Sequence, residues 1–339
     1  MATIKEVADA AGVSTATVSR VLSGIAVTEA LRDRVLQAAK ALDYAPNAAA
    51  RSLRTTRAAK ILVIVPDIAN PFFATIIQSA EAAAQEAGYS VVLAETAAQP
   101  SRALEYRAML MRKEADGIVF LGNNFPDELR QLAEQMGPSC PIVHGCEFDP
   151  NPAVPSAHID DVAAASQALE HLYQLGHHRI GIVTGGLGSS LGQARVRGVR
   201  ATAATWSLDD QLMVVNGDFS AASGQAAAEL LLSRSPRPTA IFCFNDAMAL
   251  GAISAVRAVG LSCPDDVSMV GFDDLDIAPF FSPPLTTIRQ PMRALGRRSV
   301  ELLLEVLRGE RRGPSTTQLP FELVVRKSTA RPNLDHEAA

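Results

Sequence analysis

Apolar residues near the amino end recur at helical spacing. Ile4, Val7, Ala8 and Ala11 fall at i, i+3, i+4 and i+7 and predict a helix with one apolar stripe. Thr3 and Glu6 have the spacing of a capping box, and Gly12 is placed to end the helix in a left-handed conformation. Ser14 can cap a second helix that runs to Leu22 and turns Val18, Val21 and Leu22 inward, with Ser23-Gly24 closing it. Thr28 opens a third, whose Leu31, Val35, Ala38, Ala39 and Leu42 form another stripe. Two short helices joined by a tight Gly-containing turn and backed by a third predict a helix-turn-helix unit.

From Lys60 onward the pattern changes to short, wholly apolar runs between amphipathic stretches. Runs at 61–65, 91–93, 117–121 and 142–143 read as buried strands, with helices over 72–87, 104–112 and 127–136. A second series has strands at 157–159, 180–184, 213–215, 239–242 and 267–270, with helices over 163–175, 195–206, 224–233 and 247–259. Strands apolar on both faces, alternating with helices, predict parallel sheets covered on both sides. Two such series predict two lobes. The tail adds a strand at 285–288, a helix over 292–307 and a strand over 319–325. The expected fold class is an all-α helix-turn-helix headpiece plus a two-lobed α/β domain of two doubly wound parallel sheets.

The net charge of −5 is unequally shared: residues 1–57 hold eight Lys/Arg against five Asp/Glu, leaving −8 for the rest. A basic head on an acidic body is the asymmetry expected of a nucleic-acid-facing domain. Cys140, Cys146, Cys243 and Cys263 lack CxxC or metal-ligand spacing, so reduced thiols and no metal are expected. No secretory leader and no membrane-length apolar run is read, which gives a cytoplasmic expectation without a membrane partner.

The outward face of the second helix carries Thr15, Ala16, Thr17, Ser19 and Arg20. Small side chains let a helix approach the floor of the major groove, hydroxyls hold phosphates, and an arginine can grip a guanine edge with two hydrogen bonds. The alternative is a three-helix domain with a Ser/Thr-rich surface. Beyond Tyr44-Ala45-Pro46, Asn47 can cap a helix through Arg54. About two turns are too few to be stable alone, since isolated helices need roughly 12–15 residues, so this segment is expected to order on docking. Leu53 between Arg51 and Arg54 has the chemistry of a minor-groove wedge flanked by phosphate-binding cations.

Thr3-Ile4-Lys5-Glu6-Val7-Ala8, Val13 through Leu22, and Ala50-Arg51-Ser52-Leu53 resemble the headpiece and hinge of the lac/gal repressor family. The run Ile61 to Ile68 with Asn70-Pro71-Phe72-Phe73, and Gly217-Asp218-Phe219, are similar to its cytidine repressor branch. The resemblance implies that Thr15, Ala16 and Arg20 read the major groove and that paired hinge helices insert Leu53 into the minor groove. It implies a homodimer on double-stranded, pseudo-palindromic operator DNA, and a periplasmic-binding-protein-like body that binds a small-molecule effector. Arg195 and Asp273 match the family's effector arginine and aspartate, and Asn245 an asparagine of sugar-binding members. Phe72 and Phe73 match first-lobe aromatics, and Phe219 a second-lobe one. A nucleoside effector is favoured, with a pentose or hexose as the alternative: Asn245 leans to sugars, and Cys146 stands where relatives place a more polar residue.

The expected division is a reading head over 1–46 and a hinge over 47–58. Lobe 1 takes 59–158 with 291–317, and lobe 2 takes 159–290 with 318–332. No cofactor is expected. Gly185 through Gly192 looks like a phosphate loop but fits neither G-x-G-x-x-G nor G-x-x-x-x-G-K-[ST] in register, so an enzyme is disfavoured. A solute receptor would share the body but has no use for the head. His177-His178 after Gly176 reads as a loop cap, and the lack of a terminal leucine heptad favours a dimer over a tetramer.

Overall fold

The computed structural model describes residues 2–22, 25–44, 57–96, 99, 102–122, 124–147, 149, 151–186, 188–207 and 212–333. It divides into two compact units, Met1–Ala59 and Lys60–Ala339. In the first, α1 (Ile4–Ala11), α2 (Thr15–Leu22) and α3 (Glu29–Ala41) pack around Val7, Ala8, Val18, Val21, Val35 and Ala39. The capping box forms: Thr3 N–H donates to Glu6 at 2.7 Å, and Glu6 N–H to the Thr3 hydroxyl at 3.3 Å. Gly12 takes φ 61°, the left-handed value expected of it. Ser14 accepts from Thr17 N–H at 3.2 Å and so caps α2. Thr28 departs from expectation, because its side chain makes no capping bond, and Leu42 caps α3 from an exposed position outside the stripe.

The second unit contains two six-stranded sheets. Lobe 1 is built from β1 (Lys60–Val65), α4 (Pro71–Glu86), β2 (Ser90–Glu95), α5 (Arg102–Met111), β3 (Gly117–Phe120), α6 (Asp127–Met136), β4 (Ile142–Gly145) and β5 (Ser156–His158). The chain then enters lobe 2 through α7 (Asp161–Gln174), β6 (Ile180–Thr184), α8 (Ser190–Thr205), β7 (Leu212–Asn216), α9 (Ala221–Leu232), β8 (Ala240–Cys243), α10 (Asp246–Ala258), β9 (Ser268–Asp273) and β10 (Thr286–Arg289). It returns to lobe 1 for α11 (Met292–Leu307) and β11 (Thr316–Gln318), and ends in lobe 2 with β12 (Glu322–Val324). The sheet orders are β11-β5-β4-β3-β1-β2 and β12-β10-β9-β8-β6-β7.

Strand β1 shows why its run is apolar throughout. Ile61, Val63 and Val65 pack with Phe73 and Ile76 of α4 and Leu295 and Val300 of α11. Leu62 and Ile64, facing the opposite way, pack with Leu110 of α5 and Leu129 and Leu132 of α6. Both faces are covered, so alternation would bury polar groups. The sequence pattern departs in two places. The strand expected over 319–325 shortens to β12, and β11 forms just before it in the other sheet, because the chain crosses between sheets there. In addition, β12 runs antiparallel to β10 on an otherwise parallel sheet.

Candidate functional site

Open α/β sheets bind ligands beyond the carboxyl ends of their strands. In the second unit those ends meet around a cavity of about 410 Å³ lined from both lobes. Each residue expected at an effector site, Phe72, Phe73, Arg195, Phe219, Asn245 and Asp273, lines it.

Phe72 and Phe73 open α4, which Asn70 caps by accepting from Phe72 N–H at 3.1 Å. Their rings meet edge-on at 5.1 Å and also belong to the lobe 1 core, so they pack and line at once. Phe219 enters from the end of β7 with φ 71°, and its ring lies over Gly185, where an added Cβ would sit 1.9 Å from it. The first glycine of the run resembling a phosphate loop thus makes room for an aromatic face. Asn245 caps α10, accepting from Met248 N–H at 2.8 Å and donating to the Phe219 carbonyl at 2.9 Å. Its amide is engaged at both ends and positions Phe219. Cavity-lining Cys146, Phe219 and Asp273 all have positive φ, 118° for Asp273; such strain in non-glycine residues gathers at functional sites.

Arg195, only 2% exposed, is the centre of the electrostatics. It donates to Asp161 at 2.9 Å and to the Phe244 carbonyl, and its guanidinium lies 3.5 Å from the centroid of the Phe272 ring. Around it lie more carboxyl groups than one cation can balance. Burial pushes Glu147 up to about 8, reinforced by Asp161 and opposed by Arg195. Burial likewise raises Asp273 to about 7 and Asp161 above its ordinary value, against the pull of Arg195 in both. Asp273 accepts from Gln290 Nε2 at 2.8 Å. One oxygen each of Glu147 and Asp161 is buried without a hydrogen-bond partner. Burial also lifts Asp246 well above normal; it accepts from Leu275 N–H at 2.8 Å and the Thr287 hydroxyl at 2.6 Å. The cleft therefore suits a neutral, donor-bearing ligand with a flat ring rather than an anion.

Sequence reasoning missed Glu147, Asp161 and Gln290 as site residues. Asn124 is a further addition. From lobe 1 its Nδ2 donates to the Gly188 carbonyl at 2.9 Å and its Oδ1 accepts from Ser190 N–H at 3.1 Å, tying the lobes at the loop before α8. His177 is structural, bonded to Thr239 at 2.9 Å and the Ala330 carbonyl at 2.8 Å.

On the first unit, Thr15, Ala16 and Arg20 are exposed on α2, while Thr17 and Ser19 are half-buried. The Thr17 hydroxyl lies 3.0 Å from that of Ser14, and Tyr44 packs half-buried against the core of the head. Arg51, Leu53 and Arg54 lie outside the described residues.

Residues 3–47 match the model of the bacterial regulatory proteins of the lacI family, and residues 169–329 that of a periplasmic binding protein-like domain. Over 97% of its length the chain is 38% identical to the HTH-type transcriptional repressor CytR of Escherichia coli, covering 96% of that protein. The chain belongs to the lacI family. It is 36% identical to the repressor PurR of Photobacterium profundum, over 97% of this chain and 98% of that one. Among solved structures it is similar to a lac repressor dimer bound to operator and the anti-inducer ONPF. That match has a TM-score of 0.87 and 29% identity, covering 97% of this chain and 99% of that one. A lacI-family regulator of Enterococcus faecium with bound ribose superimposes with a TM-score of 0.72 at 28% identity, over 81% of this chain and all of that one. The chain is accordingly a DNA-binding transcriptional repressor controlled by a small molecule, not an enzyme.

Proposed function

We propose that the effector is a nucleoside bound between the lobes, and that it sets the affinity of a homodimer for a pseudo-palindromic operator. The observation that carries this reading is the cleft itself. Phe72, Phe73 and Phe219 offer apolar ring faces, and Arg195, Asp273, Glu147 and Gln290 offer polar groups around the same cavity. A base joined to a pentose needs both. A pentose or hexose is the second reading, favoured by the ribose-bound relative and by Asn245 at the wall.

In this reading residues 1–46 form the reading head, with Thr15, Ala16, Thr17, Ser19, Arg20 and Tyr44 on DNA. Residues 47–58 form the hinge, with Arg51, Leu53 and Arg54. Residues 59–158 with 291–317, and 159–290 with 318–332, are the two lobes, and the dimer works in the cytoplasm on the nucleoid. A ligand touching both walls favours one lobe angle over others, and a shift in that population changes how the two heads of a dimer are presented. Asn124, which joins the lobes beside the cleft, makes a contact that such a shift would alter.

The test is a thermal-shift screen against nucleosides, free bases, pentoses and hexoses, since a ligand that binds only the folded state raises its melting temperature. Nucleosides should give the largest shifts. A response to sugars alone supports the second reading, and none from either class removes both.

A further inference from the structure

Glu147 faces a second cavity besides the cleft, a pocket of about 170 Å³ that it lines together with His144, Phe125, Asn124 and the Arg130–Asp149 pair. This is below the ~300 Å³ at which pockets for drug-sized ligands begin. Its size suits an arm of a ligand rather than a ring.

Two buried polar atoms of residues that line it have no partner: Glu147 Oε2 and His144 Nδ1. Their hydrogen-bonding roles follow from their neighbours. His144 Nε2 lies 3.0 Å from the Gly122 carbonyl, which can only accept, so Nε2 carries the hydrogen. Burial lowers the pKa of this ring to about 4, leaving it neutral with Nδ1 a bare acceptor. Glu147 takes a hydrogen bond from the backbone N–H of Asn124, which makes that oxygen the carbonyl. Burial keeps its acid protonated near neutral pH, so Oε2 is a donor. Arg130 is occupied by Asp149 at 2.7 Å and the Asn151 carbonyl at 2.6 Å, and does not make the pocket an anion site. One donor and one acceptor on residues that line a small pocket complement a hydroxyl group, which accepts once and donates once.

We propose that this side pocket is a subsite of the effector cleft that takes a hydroxymethyl arm of the ligand, Glu147 donating to its oxygen and His144 Nδ1 accepting its hydrogen. The proposal rests on the effector reading above, but not on which ring carries the arm. The charged and titratable groups acting on Glu147 are Asp161 and Arg195 from lobe 2 and Cys146 beside it. Asp149, Arg130 and His144 line the side pocket with it. A ligand that accepts from the acid form binds that form better, so affinity falls as pH rises through about 8.

The test is calorimetric titration of the full chain and its E147A and E147Q variants with two matched pairs, cytidine with 5′-deoxycytidine and methyl β-D-ribofuranoside with its 5-deoxy counterpart. The wild type should prefer the hydroxylated member by about tenfold at pH 7, the worth of a well-made hydrogen bond. E147A should lose the preference, and E147Q, whose amide supplies a donor and a carbonyl, should keep most of it. From pH 7 to 9 the preference should erode in the wild type and hold in E147Q; a packing role for Glu147 would not produce that contrast. Preference undiminished in E147A, or absent in the wild type, overturns the proposal, as does silence of all four compounds. If only the ribofuranoside pair binds and shows the preference, the subsite stands and the nucleoside reading falls.

Discussion

Replacing Arg195 with alanine tests the electrostatic account of the cleft. The guanidinium is 2% exposed, bonded to Asp161 and the Phe244 carbonyl, and stacked on Phe272. Its removal leaves Asp161 buried with neither carboxyl oxygen paired to it, and removes the one influence that lowers Glu147, Asp161 and Asp273 together. Breaking a buried pair at one partner costs about 3–5 kcal/mol. For a body of this size that lowers the melting temperature by on the order of 10 °C. The loss should depend on pH. In the variant the folded state holds these protons to higher pH than the unfolded chain, whose carboxyls titrate near 4, so stability falls as pH rises across that interval. Melting R195A and wild type by circular dichroism at pH 6 and pH 8 should therefore show the larger deficit at pH 8. A variant as stable as wild type at pH 8, or one with the same deficit at both pH values, would refute the reasoning.

The wild type should show the same trend more weakly. Glu147 and Asp273 have folded values of about 8 and 7, further from their unfolded range than those of the buried His144 and His177, held at about 4, which act in the opposite sense, so the melting temperature should be higher at pH 6 than at pH 8; the reverse slope counts against buried acids there. Gly185→Ala places a Cβ 1.9 Å from the Phe219 ring, forcing the ring to move, and should weaken nucleoside binding about tenfold or more by calorimetry; unchanged affinity would mean that Phe219 does not form a wall of the site. Leu53→Ala removes an apolar wedge and no charge, so it should weaken operator binding more than binding to random duplex; equal losses on both would contradict the wedge.

Much of the site was legible because strand ends are legible. The runs after β1, β4, β7, β8 and β9 carry aromatic and polar residues where apolar strands stop, and the topology brings those ends together. The hidden part depends on burial. Asp161 reads in sequence as an acidic residue at a helix start, where acids are ordinary; only packing against α8 turns it into the partner of Arg195. Glu147 follows β4, but nothing local reveals that it is buried with one oxygen unpartnered and lines a second pocket. Gln290 follows a strand like any polar residue, and its bond to Asp273 spans two strand ends. Asn245 was legible as a wall residue, not as the clamp that orients Phe219.

Occupation of the cleft should change the grip on DNA. The direct measurement is fluorescence anisotropy of a labelled pseudo-palindromic duplex, selected by the protein itself from a random library, titrated with the full chain in the absence and presence of saturating cytidine. The account predicts that the operator Kd changes by about tenfold or more, a coupling of roughly 1.4 kcal/mol, within the usual range for linked sites. Identical curves with cytidine demonstrably bound would contradict it.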